Sequence, residues 1–451
     1  MSIRLPLLDS TFLRIDTPDT PMHVATLQIF ALPEDVGPDF VTDLVADFRA
    51  PRPLRKPFDQ TLAGGLLSGV APAWDTVEQL DMEYHVRHTA LPAPGGERQL
   101  GDLISHLHST RLDRTRPLWT CHVIEGLENG RFAVYTKMHH SVTDGVNGVR
   151  LVTEQLATTP DGPSQAPWQQ PVAAPPRRRR GGAGQSLSPW RAVGELGRGL
   201  AGLVRLGGDG DPVRLPFEAP QSILNGRVTN ARRVATQQLD MSRMQDIAKR
   251  HAASLNDVFL AVCGAALRRY LADQNALPER SLIAGVPVNL RGEGQEGGNA
   301  VGFLWSELGT DVADPRERLG VIQRSMAAAK DHLRGMAGPV RPVFTLLTMA
   351  LPVAVLISGQ ATRVYRPPMN VTISNVPGPA DARYLRGARM EACYPVSLAF
   401  QGLGLNITCI SYDGQLNLSV VGSRDAVPHL QHIAVYIGEA LNEFDTEEVG
   451  P

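Results

Sequence analysis

At 451 residues the chain exceeds what one ordinary hydrophobic core organises, and it predicts two domains of roughly 200 residues each. Hydrophobic residues make up 43% and charged residues 20%, the balance of a packed globular protein. The formal net charge of −2 excludes a global field that would draw the chain to nucleic acid. The four cysteines, Cys121, Cys263, Cys393 and Cys409, form no C-x-x-C pair and sit in apolar stretches, which predicts buried free thiols and suits a reducing cytosol. The N-terminus MSIRLPLLDSTFLRID carries early charges and no long apolar run, so it does not read as a signal peptide.

Residues 1–158 read as one α/β unit. HVATLQIF (23–30) alternates as a strand does, and FVTDLVADFRA (40–50) has apolar residues at helical spacing. GDLISHLHSTRLD (101–113) predicts a helix that breaks before Pro117. WTCHVIEGL and RFAVYTKMHH predict paired strands with a turn at Glu128-Asn129-Gly130, and GVNGVRLVTEQL predicts a helix after Asp144. Residues 159–220 are rich in Pro, Gly and Gln. Too few apolar side chains are present there to offset ordering, so the segment is expected to be a partly flexible linker. Its run Arg177–Arg180 reads as a solvated charge cluster, or as a contact for anionic lipid.

Residues 221–451 form the second unit. SLNDVFLAVCGAALRRYLAD (254–273) is the clearest helix, with Ser254 as its N-cap. SLIAGVPVNLRG (281–292) and NVTISNVPGP (370–379) predict strands. LGLNITCISYDGQLNLSVVGS (403–423) predicts a hairpin turning at Asp413-Gly414, and VPHLQHIAVYIGEALNEF (427–444) a closing amphipathic helix. The uncharged stretch 342–362 is interrupted by Pro352 and its dense apolar part is short. A membrane-surface or buried segment fits it better than a spanning helix.

The stretch that carries chemistry is TKMHHSVTDGVNG (136–148). His139 and His140 fall at the end of a strand, before a turn and a helix, where a rigid element can aim a reactive group. Adjacent strand residues point to opposite faces, so only one histidine enters a given cleft directly. Metal binding is disfavoured because no Cys or Glu completes a ligand set nearby. Two readings remain: a packed, hydrogen-bonded pair, or a neutral imidazole acting as general base. No G-x-S-x-G motif supplies a nucleophilic serine, so a base here would activate the acceptor's own hydroxyl. Asp144 suits a helix cap or an ion-pair partner.

HHSVTDG matches the H-H-x-x-x-D-G motif of the CoA-dependent acyltransferase superfamily. Pro117-Leu118-Trp119 within RPLW, the segment PLLDSTFLRIDTPDTPMHVATLQIF (6–30), NDVFLA (256–261), VPVNLRG (286–292) with GN (298–299), and SNVPGP (374–379) follow in the block order of the bacterial wax ester synthase/diacylglycerol acyltransferase family. The chain resembles that family over nearly its whole length, residues 160–220 excepted. Ser141 stands where the family often has alanine and Phe259 where it has valine.

The resemblance implies an α/β fold of two chloramphenicol-acetyltransferase-like domains with a substrate tunnel between them. It implies His140 as the base, with His139 beside it. The substrates would be a fatty acyl-CoA and a long-chain alcohol or diacylglycerol, without metal or resident cofactor. Asp144, Gly145, Asn256, Asp257, Arg291 and Pro117-Leu118-Trp119 would support the site, with Arg291 a partner for Asp144. Asn299, Thr372 and Ser374 are candidate oxyanion donors. Activity is expected to fall between pH 8 and pH 5 as the imidazole protonates. Such a protein would be cytoplasmic and peripheral to the membrane or to lipid inclusions, touching them through 189–207, 344–358 or the four arginines. The alternatives are a condensation-type acyltransferase using a carrier-protein thioester and a non-catalytic lipid-inclusion protein.

Overall fold

A computed structural model of the chain describes residues 3–64, 72–170, 213–289, 301–335, 352, 355, 362 and 366–444. Arg177–Arg180, the segments 189–207 and 344–358 as continuous stretches, Arg291 and Asn299 lie outside the described residues. The first half supplies β1 (Ile3–Arg4), α1 (Leu7–Ile15), β2 (His23–Ala31), α2 (Phe40–Arg49), β3 (Gln60–Leu62), β4 (Ala73–Thr76), α3 (Met82–His85), β5 (Val86–Ala90), α4 (Glu97–Ser109), β6 (Trp119–Leu127), β7 (Arg131–His139) and α5 (Gly145–Thr153). The second supplies β8 (Arg232–Asp240), α6 (Met241–Arg250), α7 (Leu255–Asp273), β9 (Ile283–Asn289), β10 (Val301–Glu307), α8 (Pro315–Gly335), β11 (Val371–Val376), β12 (Tyr384–Leu385), β13 (Ala388–Val396), β14 (Leu405–Tyr412), β15 (Gln415–Ser423) and α9 (Gln431–Ala440).

Two six-stranded mixed sheets organise these elements, in the orders β12-β13-β2-β7-β6-β5 and β10-β9-β11-β14-β15-β8. Local chemistry sets the turns as the sequence predicts. Asn129 and Gly130 both take positive φ between β6 and β7, and Asp413 and Gly414 do so between β14 and β15. That is the backbone a tight hairpin requires. Ser254 caps α7 in a reciprocal box with Asp257. The four cysteines are buried and unpaired.

The linear division at 158 and 221 does not coincide with the sheets. β13 comes from the last third of the chain yet lies in the first sheet, antiparallel to β2, from Arg389 opposite Ala31 to Val396 opposite Ala25. It carries Pro395, which lies beyond the reach of the short β12 and whose carbonyl accepts the Ser419 hydroxyl of β15. The segment expected to be flexible also begins as core. Trp168 is fully buried, stacks on Trp119 at 4.8 Å and donates its indole N–H to the Phe48 carbonyl. Trp168 and Ala166 are buried there, so residues 166–169 join the core.

The two units share packing. Val376, Ile410 and Tyr412 of the second sheet belong to the first unit's core, with Phe30, Trp119 and Met138. Edge strand β8 docks on α4, where the Ser105 and Ser109 hydroxyls, one helical turn apart, accept the main-chain N–H groups of Val234 and Arg232. An edge that would otherwise present unpaired donors is thereby covered. No helix among the described residues is long and apolar enough to cross a membrane.

Candidate active site

Strand β7 delivers the His-His pair. His139 is its last residue and lies opposite His23 of β2. The His139 N–H donates to the Leu118 carbonyl at 2.9 Å, so the Pro117-Leu118-Trp119 segment sets where the strand ends. Leu118 and Trp119 are buried, and the Trp119 indole N–H is anchored on the Phe58 carbonyl. These three residues pack beneath the end of β7, and Leu118 accepts the main-chain hydrogen bond that closes it.

His140 follows in the turn. Its N–H donates to the Met22 carbonyl at 2.8 Å, and its ring stacks on Phe12 of α1, centroids 4.1 Å apart and planes inclined by 20°. Burial pushes its pKa down to about 4. The ring's own main chain and the Asp144 carboxylate oppose that shift, and His139 adds to it. The imidazole is thus neutral at pH 7. Its Nδ1 is buried beside its own main chain, with no other partner among the described residues. A proton held on Nδ1 there leaves Nε2 as the nitrogen with a free lone pair.

His139 has the opposite environment. Its Nδ1 accepts the Ser141 N–H at 3.1 Å and lies 2.7 Å from the Ser141 hydroxyl. Its Nε2 lies 3.7 Å from Asp16 Oδ2. Both contacts favour the proton on Nε2. Burial lowers its pKa, with Asp16 pulling the other way. Further along β7, Lys137 donates to the Leu107 and Thr110 carbonyls at the end of α4, and burial lowers its pKa to about 7. His108 lies between the Tyr135 hydroxyl and the Ser397 carbonyl, its pKa lowered by burial to about 3. Burial thus lowers the pKa of both groups.

Asp144 is the N-cap of α5. Its carboxylate accepts the Asn147 N–H at 2.7 Å and the Asn147 side-chain amide at 3.0 Å. This holds the turn that carries His140. Gly145 begins α5 at the interface with the second unit, where a β-carbon would stand 3.8 Å from Val376 of β11. Thr372, Ser374 and Val376 share one face of β11, while Val371 and Ile373 enter the second core from the other. The two hydroxyl candidates thus sit on the face that meets Gly145. Ser374 continues into a row of hydroxyls across the sheet, opposite Thr408, which is opposite Ser419, itself opposite Thr236.

Asn256 and Asp257 are at the start of α7. Asp257 has a structural job: one oxygen accepts the Ser254 N–H at 3.0 Å while its own N–H donates to the Ser254 hydroxyl at 3.2 Å. Sequence reasoning missed Phe12, Asp16, Met22 and Arg111 as individual residues. They fall within or pack on the 6–30 segment, and only that segment's family resemblance marked it.

The two-unit mixed α/β fold is that of condensation domains. The first condensation domain of the calcium-dependent antibiotic synthetase has this fold, with a TM-score of 0.59 at 16% identity over 98% of this chain and 95% of that one. The chain belongs to the wax ester synthase/diacylglycerol acyltransferase family: residues 5–259 match the family's catalytic domain and 297–445 its C-terminal domain. It is 39% identical to a probable diacylglycerol O-acyltransferase of Mycobacterium tuberculosis, over 97% of each chain. It is 36% identical to the O-acyltransferase WSD of Acinetobacter baylyi, over 97% of this chain and 96% of that one. The wax ester synthase/diacylglycerol acyltransferase of Marinobacter aquaeolei superposes with a TM-score of 0.81 at 36% identity, covering 98% of this chain and 99% of that one.

Proposed function

We propose that this protein transfers the acyl group of a fatty acyl-CoA to the hydroxyl of a long-chain alcohol or of diacylglycerol, making wax esters and triacylglycerols. The observation that carries the reading is the His140 imidazole, neutral, stacked on Phe12 and fixed at its main chain by Met22 in a chain of this family. His140 Nε2 takes the proton of the acceptor hydroxyl as its oxygen bonds to the thioester carbonyl carbon. The resulting tetrahedral oxyanion is met by hydroxyl donors, for which Thr372 and Ser374 are the described candidates and Asn299 a third. Collapse breaks the C–S bond, and the departing CoA thiolate recovers the proton from His140. Acyl-CoA is a substrate, and the cycle needs no metal, resident cofactor or acyl-enzyme.

The remaining parts of the reading follow from the substrates. At about 0.8 kcal/mol per buried CH2, two long acyl or alkyl chains favour an apolar tunnel, which this reading puts between the two units, near where Gly145 meets Val376 of β11. The same transfer energy keeps these substrates in lipid, so the enzyme works at the cytoplasmic face of a membrane or on a lipid inclusion. Arg291 pairs with Asp144 across the units in this reading, and Asn256 lines the second wall. The test is CoA release from palmitoyl-CoA with hexadecanol and with dipalmitoylglycerol, for wild type and His140→Ala. Acceptor-dependent release that disappears in the variant is the expected result. No release by the wild type with either acceptor would move the assignment to a carrier-protein thioester or to lipid binding without turnover.

A further inference from the structure

Asp16, the C-cap of α1, faces His139 and is linked to His140 through Met22. Its side chain is 1% exposed. Oδ2 accepts two hydrogen bonds from the Arg111 guanidinium, at 2.9 and 2.7 Å, and faces His139 Nε2 at 3.7 Å. Oδ1 accepts the Met22 N–H at 3.1 Å, and the Met22 carbonyl in turn accepts the His140 N–H at 2.8 Å. Phe12, one helical turn earlier on α1, covers the His140 ring. Burial by itself would raise the Asp16 pKa. The nearby His139 imidazole and the hydrogen bonds from Arg111 and Met22 outweigh it and hold the carboxyl below its ordinary range. An ionised carboxylate this buried is costly unless each oxygen is committed, and here both are.

We infer that Asp16, clamped by Arg111, is a positioning residue for the acyl transfer: one oxygen sets the main chain of His140 through Met22, the other orients the His139 ring. Neither oxygen touches His140 itself, so the effect is on where Nε2 points. Geometry at that nitrogen is realised in the transition state, so the loss falls on kcat. The inference rests on His140 as the base.

The test assays the full-length protein and its Asp16→Ala, Asp16→Asn and His140→Ala variants for CoA release from palmitoyl-CoA with hexadecanol. kcat and KM are resolved separately, at a temperature where circular dichroism shows each protein folded. Misplacing the base by about 1 Å is expected to lower kcat about 10²-fold in Asp16→Ala with KM for palmitoyl-CoA within about threefold. Asp16→Asn recovers part of the loss, since its amide oxygen still accepts the Met22 N–H. Should Asp16→Ala not fold, the isosteric Asp16→Asn decides alone, reduced kcat supporting the role and unchanged kcat overturning it. Two Asp16 variants with wild-type kcat, or a loss confined to KM, overturn it as well. With His140→Ala inactive, fully active Asp16 variants remove the positioning role alone. An active His140→Ala enzyme removes the base, and the positioning role with it.

Discussion

The His140 ring lies against Phe12 with centroids 4.1 Å apart, so a residue near the amino terminus forms one wall of the site delivered by β7. That stack covers one face of the imidazole, and burial is the largest influence on its pKa. The pH dependence expected from an ordinary histidine is revised accordingly. With the free-enzyme pKa near 4, the rate stays flat from pH 8 to pH 5 and falls only as pH approaches 4. Initial rates of kcat/KM after rapid pH jumps check this, and a midpoint near 6.5 would show the ring to be solvated.

Removing the wall moves the limb. Phe12→Ser admits water to the ring, weakens the desolvation that depresses its pKa, and shifts the acid limb of kcat/KM upward. The same pH-jump assay, run side by side with wild type, measures the displacement. An unmoved limb would assign the depression to other neighbours of the ring.

Trp168 tests whether the start of the Pro-rich stretch belongs to the core. Trp168→Ala removes a fully buried indole stacked on Trp119 and is expected to cost about 3–5 kcal/mol of stability. Urea unfolding of the variant gives the number. A loss below about 1 kcal/mol would place the residue outside the cooperative core.

Asp257 separates capping from chemistry. Asp257→Ala breaks one half of the box with Ser254 and should cost on the order of 1 kcal/mol in stability with kcat nearly unchanged. A fall in kcat beyond about tenfold at full folding would give the residue a part in the site.

Acid should weaken the fold through its buried histidines. Burial holds His85, His122 and His140 to about 4 and His108 to about 3, against 6.5 when solvated. Each folded pKa is depressed, so the unfolded chain binds more protons across that interval. The stability is fully present above pH 6.5 and drains as pH falls from there toward about 3–4. Tm measured at pH 7, 6 and 5 should decline stepwise, and a constant Tm over that range would contradict the buried neutral assignments.

The hairpin turns, the α7 cap, the paired strands around Glu128-Asn129-Gly130 and the His-His motif were legible because their signals are local. Asn-Gly and Asp-Gly favour positive φ, and Ser254 stands three residues before its reciprocal partner. β13 was not legible. Its burial follows no clean alternation and it contains Pro395, because its faces are shared between two sheets. Asp16 and Arg111 lie 95 residues apart, and no spacing rule joins them. Trp168 was hidden by its neighbours, since composition averages over a window and a core needs only one large side chain.

The pairing of β2 with β13 also orders events in time. β2 ends at Ala31 and its neighbour at Val396, so at about 5–20 residues per second a ribosome takes roughly 20–70 s to supply one after the other. Throughout that interval the nascent first sheet has an open flank along β2, the kind of edge that invites pairing with a neighbouring chain. A fragment ending near residue 259, where the catalytic-domain match stops, would keep that flank open permanently. The carboxy-terminal third therefore supplies the strand that closes this flank of the segment bearing the histidines, and expression of the two parts as separate polypeptides would have to overcome aggregation before it could restore a site.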